Sequence, residues 1–354
     1  MTSNPGKNRI TERVVFSDAS PDLDRRFAVA PMMEWTDRHC RFFMRLISSR
    51  ALLYTEMVTA AAVIHGDRNK LIGFDHAEQP VALQLGGSDP AQLADAARIG
   101  EDFGYQEINL NIGCPSDRVK SGRFGACLMA EPDLVARCVE AMRVAVNLPV
   151  TIKCRIGIDD QDIETELDRF VSLVARAGCR TFIVHARKAW LNGLSPKENR
   201  DVPPLDHGRV HRVKQANPDL ELCINGGIET LDEAEAHLRH VDGVMMGRAA
   251  YHNPYLLADV DVRIFQDKRV PTPTREEVLD QYIVYAEREL ARGTRLHHLT
   301  RHILGLYHAQ PGARAFRRTL GEQSVRPGAG IEVLKDCLAR LGDARMHTAP
   351  VAAE

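Results

Sequence analysis

Eight short apolar segments recur between residues 27 and 246, separated by stretches long enough to form helices. They are Phe27–Ala30, Leu52–Glu56, Val81–Leu85, Glu107–Asn111, Val150–Cys154, Thr181–His185, Glu221–Asn225 and Gly243–Met246. Each has the length and composition of a strand. Between them, Pro90–Phe103, Pro132–Val146 and Glu164–Ala177 repeat their apolar residues at helical spacing. Eight strands with helical crossovers predict an α/β fold, a (β/α)8 TIM barrel. An open, doubly wound sheet is the runner-up, but the glycine-rich turn that usually follows its first strand is absent.

The pattern changes after Asp261. Pro271 and Pro273 bracket a linker, and Thr274 with Glu277 forms a capping box that starts a helix. Glu276 to about Tyr307, and Glu332 to Leu341, read as helical with no strand alternation. The expected organisation is a flexible N-terminal arm over 1–24, a barrel over 25–265, a smaller all-helical domain over 270–345 and a tail over 346–354. Eight cysteines without a CxxC pair argue against zinc and for reduced thiols, so no metal and a cytoplasmic location are expected. No apolar run is long enough for a signal peptide or a membrane span.

The chemistry concentrates in Glu107 to Met129. Ile108 and Leu110 alternate with Asn109 and Asn111, the pattern of a half-buried strand. Gly113, Cys114 and Pro115 then turn the chain into a loop bearing Arg118, Lys120 and Arg123. Free cysteines are mostly small buried hydrophobes, and Cys40, Cys127, Cys138, Cys154, Cys179, Cys223 and Cys337 fit that description. Cys114 differs. It lies just past the C-terminal end of a strand, where parallel barrels carry their active sites, and cations follow it.

Polar or shaped residues recur at the same end of the other strands. Pro31, Met32 and Met33 follow the first, Gln84 ends the third, and Lys153 and His185 end the fifth and sixth. A lysine within VTIKCRI is costly to bury unpaired. Asn225-Gly226-Gly227 and Gly247-Arg248 follow strands seven and eight, a common phosphate position in TIM barrels. The net charge is −2, so a nucleic-acid partner must be met by a local basic surface. Arg288 to Arg326 supplies one: eight arginines against only Glu289 and Glu322.

The segment NLNIGCPSDRVKSGRFGACLM resembles the signature of the tRNA-dihydrouridine synthases, A subfamily, and PMMEWTDRHCR and QPGARAFRR resemble the same subfamily. These motifs span Pro31 to Arg318. One departure is Glu34, where the family more often has Asp. The resemblance implies a flavin-dependent TIM barrel followed by a helical tRNA-binding domain. It implies FMN as cofactor and NADPH as reductant. It also implies reduction of the uridine C5–C6 double bond in the tRNA D-loop, at positions 20 and 20a, by a monomer on its tRNA.

By the same resemblance, Cys114 is the proton donor. Lys153 faces the N1/O2 edge of the flavin, and Gln84 meets its pyrimidine edge. Pro31, Met32 and Met33 pack on the ring. His185 contacts the ribityl or phosphate region, and Asn225, Gly226, Gly227, Gly247 and Arg248 hold the phosphate. Asn111 and Gly113 flank the uracil, and Lys197, Arg200, Arg314 and Arg317 contact tRNA. Two alternatives stand beside this reading: a flavin barrel reducing free pyrimidines, as dihydroorotate dehydrogenases act on theirs, and a non-catalytic RNA-binding barrel.

Overall fold

The computed structural model describes residues 23–116, 122–269 and 271–346. The expected arm lies mostly outside these residues, as do Arg118, Lys120 and most of the expected tail. The strands are β1 (Phe27–Val29), β2 (Leu52–Tyr54), β3 (Val58–Thr59), β4 (Val81–Gly86), β5 (Glu107–Ile112), β6 (Val150–Arg155), β7 (Thr181–His185), β8 (Glu221–Asn225) and β9 (Gly243–Met246). All pairings are parallel, and β2 pairs with both β1 and β4. That last pairing closes the sheet into an eight-stave barrel and excludes the open doubly wound alternative. The segment expected as one strand, Leu52–Glu56, stops at Tyr54. The two-residue β3 follows, pairing with the C-terminal end of β4.

Helices cover the outer face. The helix Pro90–Asp102 is capped by Asp89, whose side chain accepts from the Gln92 N–H. It buries Leu93, Ala94, Ala96 and Ala97, the apolar stripe its spacing predicts.

The barrel interior has two characters. Ala28, Ala30, Leu52, Tyr54, Ala82, Ile183, Cys223 and Met245 form an apolar cluster inside it. The inward face of β5 is polar instead: Glu107, Asn109 and Asn111 alternate with Ile108, Leu110 and Ile112. The half-buried strand expected here is buried on both faces. Its polar face turns inward because β4 and β6 supply hydrogen-bond partners there. Gln84 and Thr151 stand in register with Asn109.

Beyond the barrel, the capping box of Thr274 and Glu277 opens the helix Arg275–Ala291. The continuous helix expected to Tyr307 breaks at Gly293, whose φ of +90° suits glycine. Short helix Leu296–Thr300 follows, and then Ala313–Gln323, which helical periodicity had not singled out, and Glu332–Met346. Of these, Arg275–Ala291 and Leu296–Thr300 pack on Arg38–Ile47, the first helix of the barrel. Phe42 stacks on Tyr285 with ring centroids 3.8 Å apart, a contact worth about 0.5–1.5 kcal/mol beyond the area it buries. Asp37 caps the same barrel helix and pairs with Arg301 at 2.7 Å and His302 at 3.0 Å. Among the described residues no helix is long and apolar enough to cross a membrane.

Candidate active site

A cleft of about 930 Å3 opens at the C-terminal ends of the strands. Nearly every residue singled out from the sequence lines it. Pro31, Met32 and Met33 form one wall after β1, with Met33 exposed at the rim. Gln84, Asn111, Gly113 and Cys114 also line the cleft. Lys153, His185 and Asn225–Gly227 follow around the barrel to Gly247 and Arg248, and Arg200 reaches in from the loop after β7. Lys197 is exposed and does not line the cleft. Arg314 and Arg317 lie away from it, exposed on Ala313–Gln323.

Cys114 is half-buried, with its Sγ 3.5 Å from the Ser116 hydroxyl. Its loop is held by a few backbone contacts. The N–H groups of Gly113 and Cys114 both donate to Asn111 Oδ1, at 3.0 and 2.9 Å. The Ala126 N–H donates to the Cys114 carbonyl at 2.9 Å. Cys127 is only half-buried, its Sγ toward the Phe124 carbonyl; the other six cysteines are buried.

The cost of placing Lys153 here is met by Asn225, whose Oδ1 accepts from Nζ at 2.9 Å. Burial, and then the charge of Arg155, push the Lys153 ammonium down to about 8. Burial is also the main cause that lowers His185 well below its usual range, followed by Arg155 and Lys153, so its imidazole is neutral at pH 7. Burial first, and Arg248 next, lower Arg200 as well. Arg187, further back, keeps a buried Nε with no hydrogen-bond partner among the described residues. Two acids, Asp201 and Glu229, line the cleft, and Asp201 meets Arg248 at 2.8 Å. Cations that raise one another's cost of ionisation in and behind the cleft suit an anionic ligand.

The glycines fit the same purpose. Gly226 has φ +111°, and a Cβ there would lie 2.4 Å from His185 Cδ2. Gly227 has φ +70°, and a Cβ would meet Leu205 at 2.3 Å. Only glycine leaves this backbone free to approach a ligand. These cations, amides and bare glycine turns suit a ligand that carries an anionic group.

From the sequence, Arg155 stands with Lys153 among the polar residues that end the fifth strand, but it is given no role. Its Nε donates to the Gly113 carbonyl at 3.1 Å and its Nη1 to the Lys188 and Asn199 carbonyls at 3.1 and 2.9 Å. It therefore ties the Cys114 loop to the loop after β7. The available signal was its place two residues beyond Lys153, on the same face of β6.

A family model described as dihydrouridine synthase matches residues 28–341. Over 317 residues the chain is 56% identical to a Vibrio cholerae protein named tRNA-dihydrouridine(20/20a) synthase, covering 89% of this chain and 96% of that one. A Xanthomonas axonopodis pv. citri protein of the same name is 58% identical over 315 residues, 89% of this chain and 93% of that one. Among solved structures, the old yellow enzyme homologue from Zymomonas mobilis superposes with a TM-score of 0.50 at 12% identity. It covers 72% of this chain and 92% of that one, a likeness of fold alone.

Proposed function

The chain belongs to the dihydrouridine synthase family, and on that premise we propose that it reduces the C5–C6 double bond of uridine at positions 20 and 20a of the tRNA D-loop, using NADPH and a bound FMN. The observation that carries this reading is the single cleft shared by Cys114, Lys153 and the Asn225–Gly227 turn. A reduced flavin, when bound, supplies the hydride for C6 of the uracil.

Residues of the chain do the rest. Asn225 steers the Lys153 ammonium to the pyrimidine edge of the ring, where it stabilises negative charge. Gly226 and Gly227 offer bare backbone to the phosphate, and Arg248, steadied by Asp201, adds charge. Neutral His185 contributes hydrogen bonding without a further positive charge. Cys114 donates the proton that C5 needs, from the face opposite the ring. The uridine must leave its contacts in folded tRNA to reach this cleft, at a cost of a few kcal/mol. The arginines of Ala313–Gln323, with Lys197 and Arg200, offset that cost by holding the phosphate backbone.

The test is direct. Protein denatured after purification should release FMN. With NADPH, it should convert uridines 20 and 20a to dihydrouridine in tRNA from cells lacking the modification, while free uridine and orotate stay unreduced. Release of no flavin would refute the proposal and favour the non-catalytic RNA-binding alternative; turnover of free pyrimidines at rates matching tRNA would refute it and favour the free-pyrimidine one.

A pH prediction follows from Lys153. Its folded value of about 8 lies below the usual 10.5, so it is mostly charged at pH 7 and loses its proton as pH rises through about 8. FMN, which is held better by the ammonium, should bind with constant affinity below that pH and progressively more weakly above it. Titration of the flavin-free protein by fluorescence quenching across pH 6.5–9.5 checks this. Lys153→Met should bind weakly throughout and lose the inflection; an inflection surviving in that variant would assign it to another group.

A further inference from the structure

A ladder of buried side chains runs inside the barrel from its base to the Cys114 loop. At the base, the Glu107 carboxylate takes the Arg25 Nε at 2.6 Å on one oxygen and the Tyr54 hydroxyl at 2.6 Å on the other. The Thr151 hydroxyl donates to that second oxygen at 2.6 Å and accepts from Asn109 Nδ2 at 2.8 Å. Asn109 Oδ1 accepts from Gln84 Nε2 at 2.8 Å, and Gln84 Oε1 accepts from Asn111 Nδ2 at 2.8 Å. Asn111 Oδ1 ends the ladder on the Gly113 and Cys114 N–H groups. Glu107, Gln84, Asn109 and Thr151 are each at most 1% exposed, so water does not compete for these bonds.

The direction of the ladder is a matter of chemistry. A hydroxyl and three amides can pass hydrogen bonds in either sense. A carboxylate only accepts, and Arg25 holds Glu107 as an ion pair. Thr151 must therefore donate downward, which leaves its oxygen to accept from an Asn109 amide nitrogen. Each amide above is then turned the same way. In the reverse sense, the Asn111 amide nitrogen would face the N–H groups of Gly113 and Cys114, donor against donor.

We infer that Thr151 and Asn109 are positioning residues for the Cys114 loop: with Glu107 they fix the amide orientation of Gln84 and Asn111, and so hold the loop over the cleft. The same ordering decides what the cleft floor offers a ligand. Both lone pairs of Asn111 Oδ1 are committed to the backbone, so Asn111 has only an amide N–H left to present, suited to a carbonyl oxygen.

The link from loop to catalysis rests on the proposed reductase, and the experiment separates the two. Thr151→Val keeps the shape and removes the hydroxyl; Thr151→Ser keeps the hydroxyl. In flavin-free protein, Cys114 of Thr151→Val should be alkylated by iodoacetamide about fivefold faster than in the parent, the shift expected from one net hydrogen bond. Half-buried Cys127 serves as internal reference in the peptide mass spectrum. Thr151→Ser should match the parent. In loaded protein, reoxidation by tRNA should slow about fivefold in Thr151→Val while reduction by NADPH keeps its rate. Where the valine variant does not fold, Thr151→Ala carries the same expectations. Equal alkylation in parent and Thr151→Val, or a serine variant as fast as the valine one, would overturn the inference. A parent protein that tRNA does not reoxidise would sink the reductase instead, leaving the alkylation result to judge the ladder.

Discussion

Cys114→Ala is expected to lower tRNA reduction by about 10²- to 10⁴-fold, the usual loss of a placed general acid, while FMN content and the rate of flavin reduction by NADPH hold. The expectation depends on where the sulfur sits. It is carried on the loop after β5 and makes no hydrogen bond to Lys153, Asn225 or the glycine turns among the described residues, so its removal leaves those contacts intact. The loop itself is tied through the Cys114 backbone, to Asn111 and Ala126, and those bonds survive the change to alanine. Cys127→Ala is the control. Burial, followed by Glu131, raises that thiol, and its Sγ faces the backbone of its own turn, with the Phe124 carbonyl at 3.2 Å. Stopped-flow measurement of the two half-reactions checks both variants. An active Cys114→Ala, or equal losses in the two variants, would remove Cys114 as the acid.

The barrel was legible because its strands announce themselves locally. Thr181–His185 and Glu221–Asn225 begin and end where their composition says. The ring of polar strand ends was legible for the same reason: parallel staves bring all their C-termini to one mouth. What escaped depends on partners distant in sequence. The polar face of β5 read as solvent-facing because its partners, Gln84 and Thr151, lie on neighbouring staves 25 and 42 residues from Asn109. The gap in the charge count has the same origin. Of the eight arginines from Arg288 to Arg326, Arg288 pairs with Asp75 and Arg301 with Asp37, both acids of the barrel segment. Arg292 pairs with Glu289. A count within one window misses Asp75 and Asp37. Arg288 and Arg301 fasten the helices to the barrel, and Arg292 pairs within its own helix, so the run is not one uniform set of unpaired cations.

That correction sharpens the second large prediction, on tRNA binding. Arg314, Arg317 and Arg318 are exposed on one helix whose buried side is Ala313, Phe316 and Leu320. No side-chain hydrogen bond or ion pair engages these three among the described residues. Arg314 and Arg317 stand three residues apart, on one face. Each phosphate contact releases counterions, so affinity should fall linearly with salt on logarithmic axes. Arg314→Ala and Arg317→Ala should each reduce that slope by about one, and the double variant by about two. Flavin spectra and NADPH oxidation should not change, since neither residue lines the cleft. Arg301→Ala provides the contrast. Its guanidinium is already committed to Asp37 at 2.7 Å, so its loss should loosen the helices from the barrel and lower the melting temperature, with the salt slope kept. Filter binding of tRNA at several salt concentrations, beside thermal melts, measures both. An unchanged slope in the double variant, or a slope reduced as much by Arg301→Ala, would mean that charge on this helix is not what holds the tRNA.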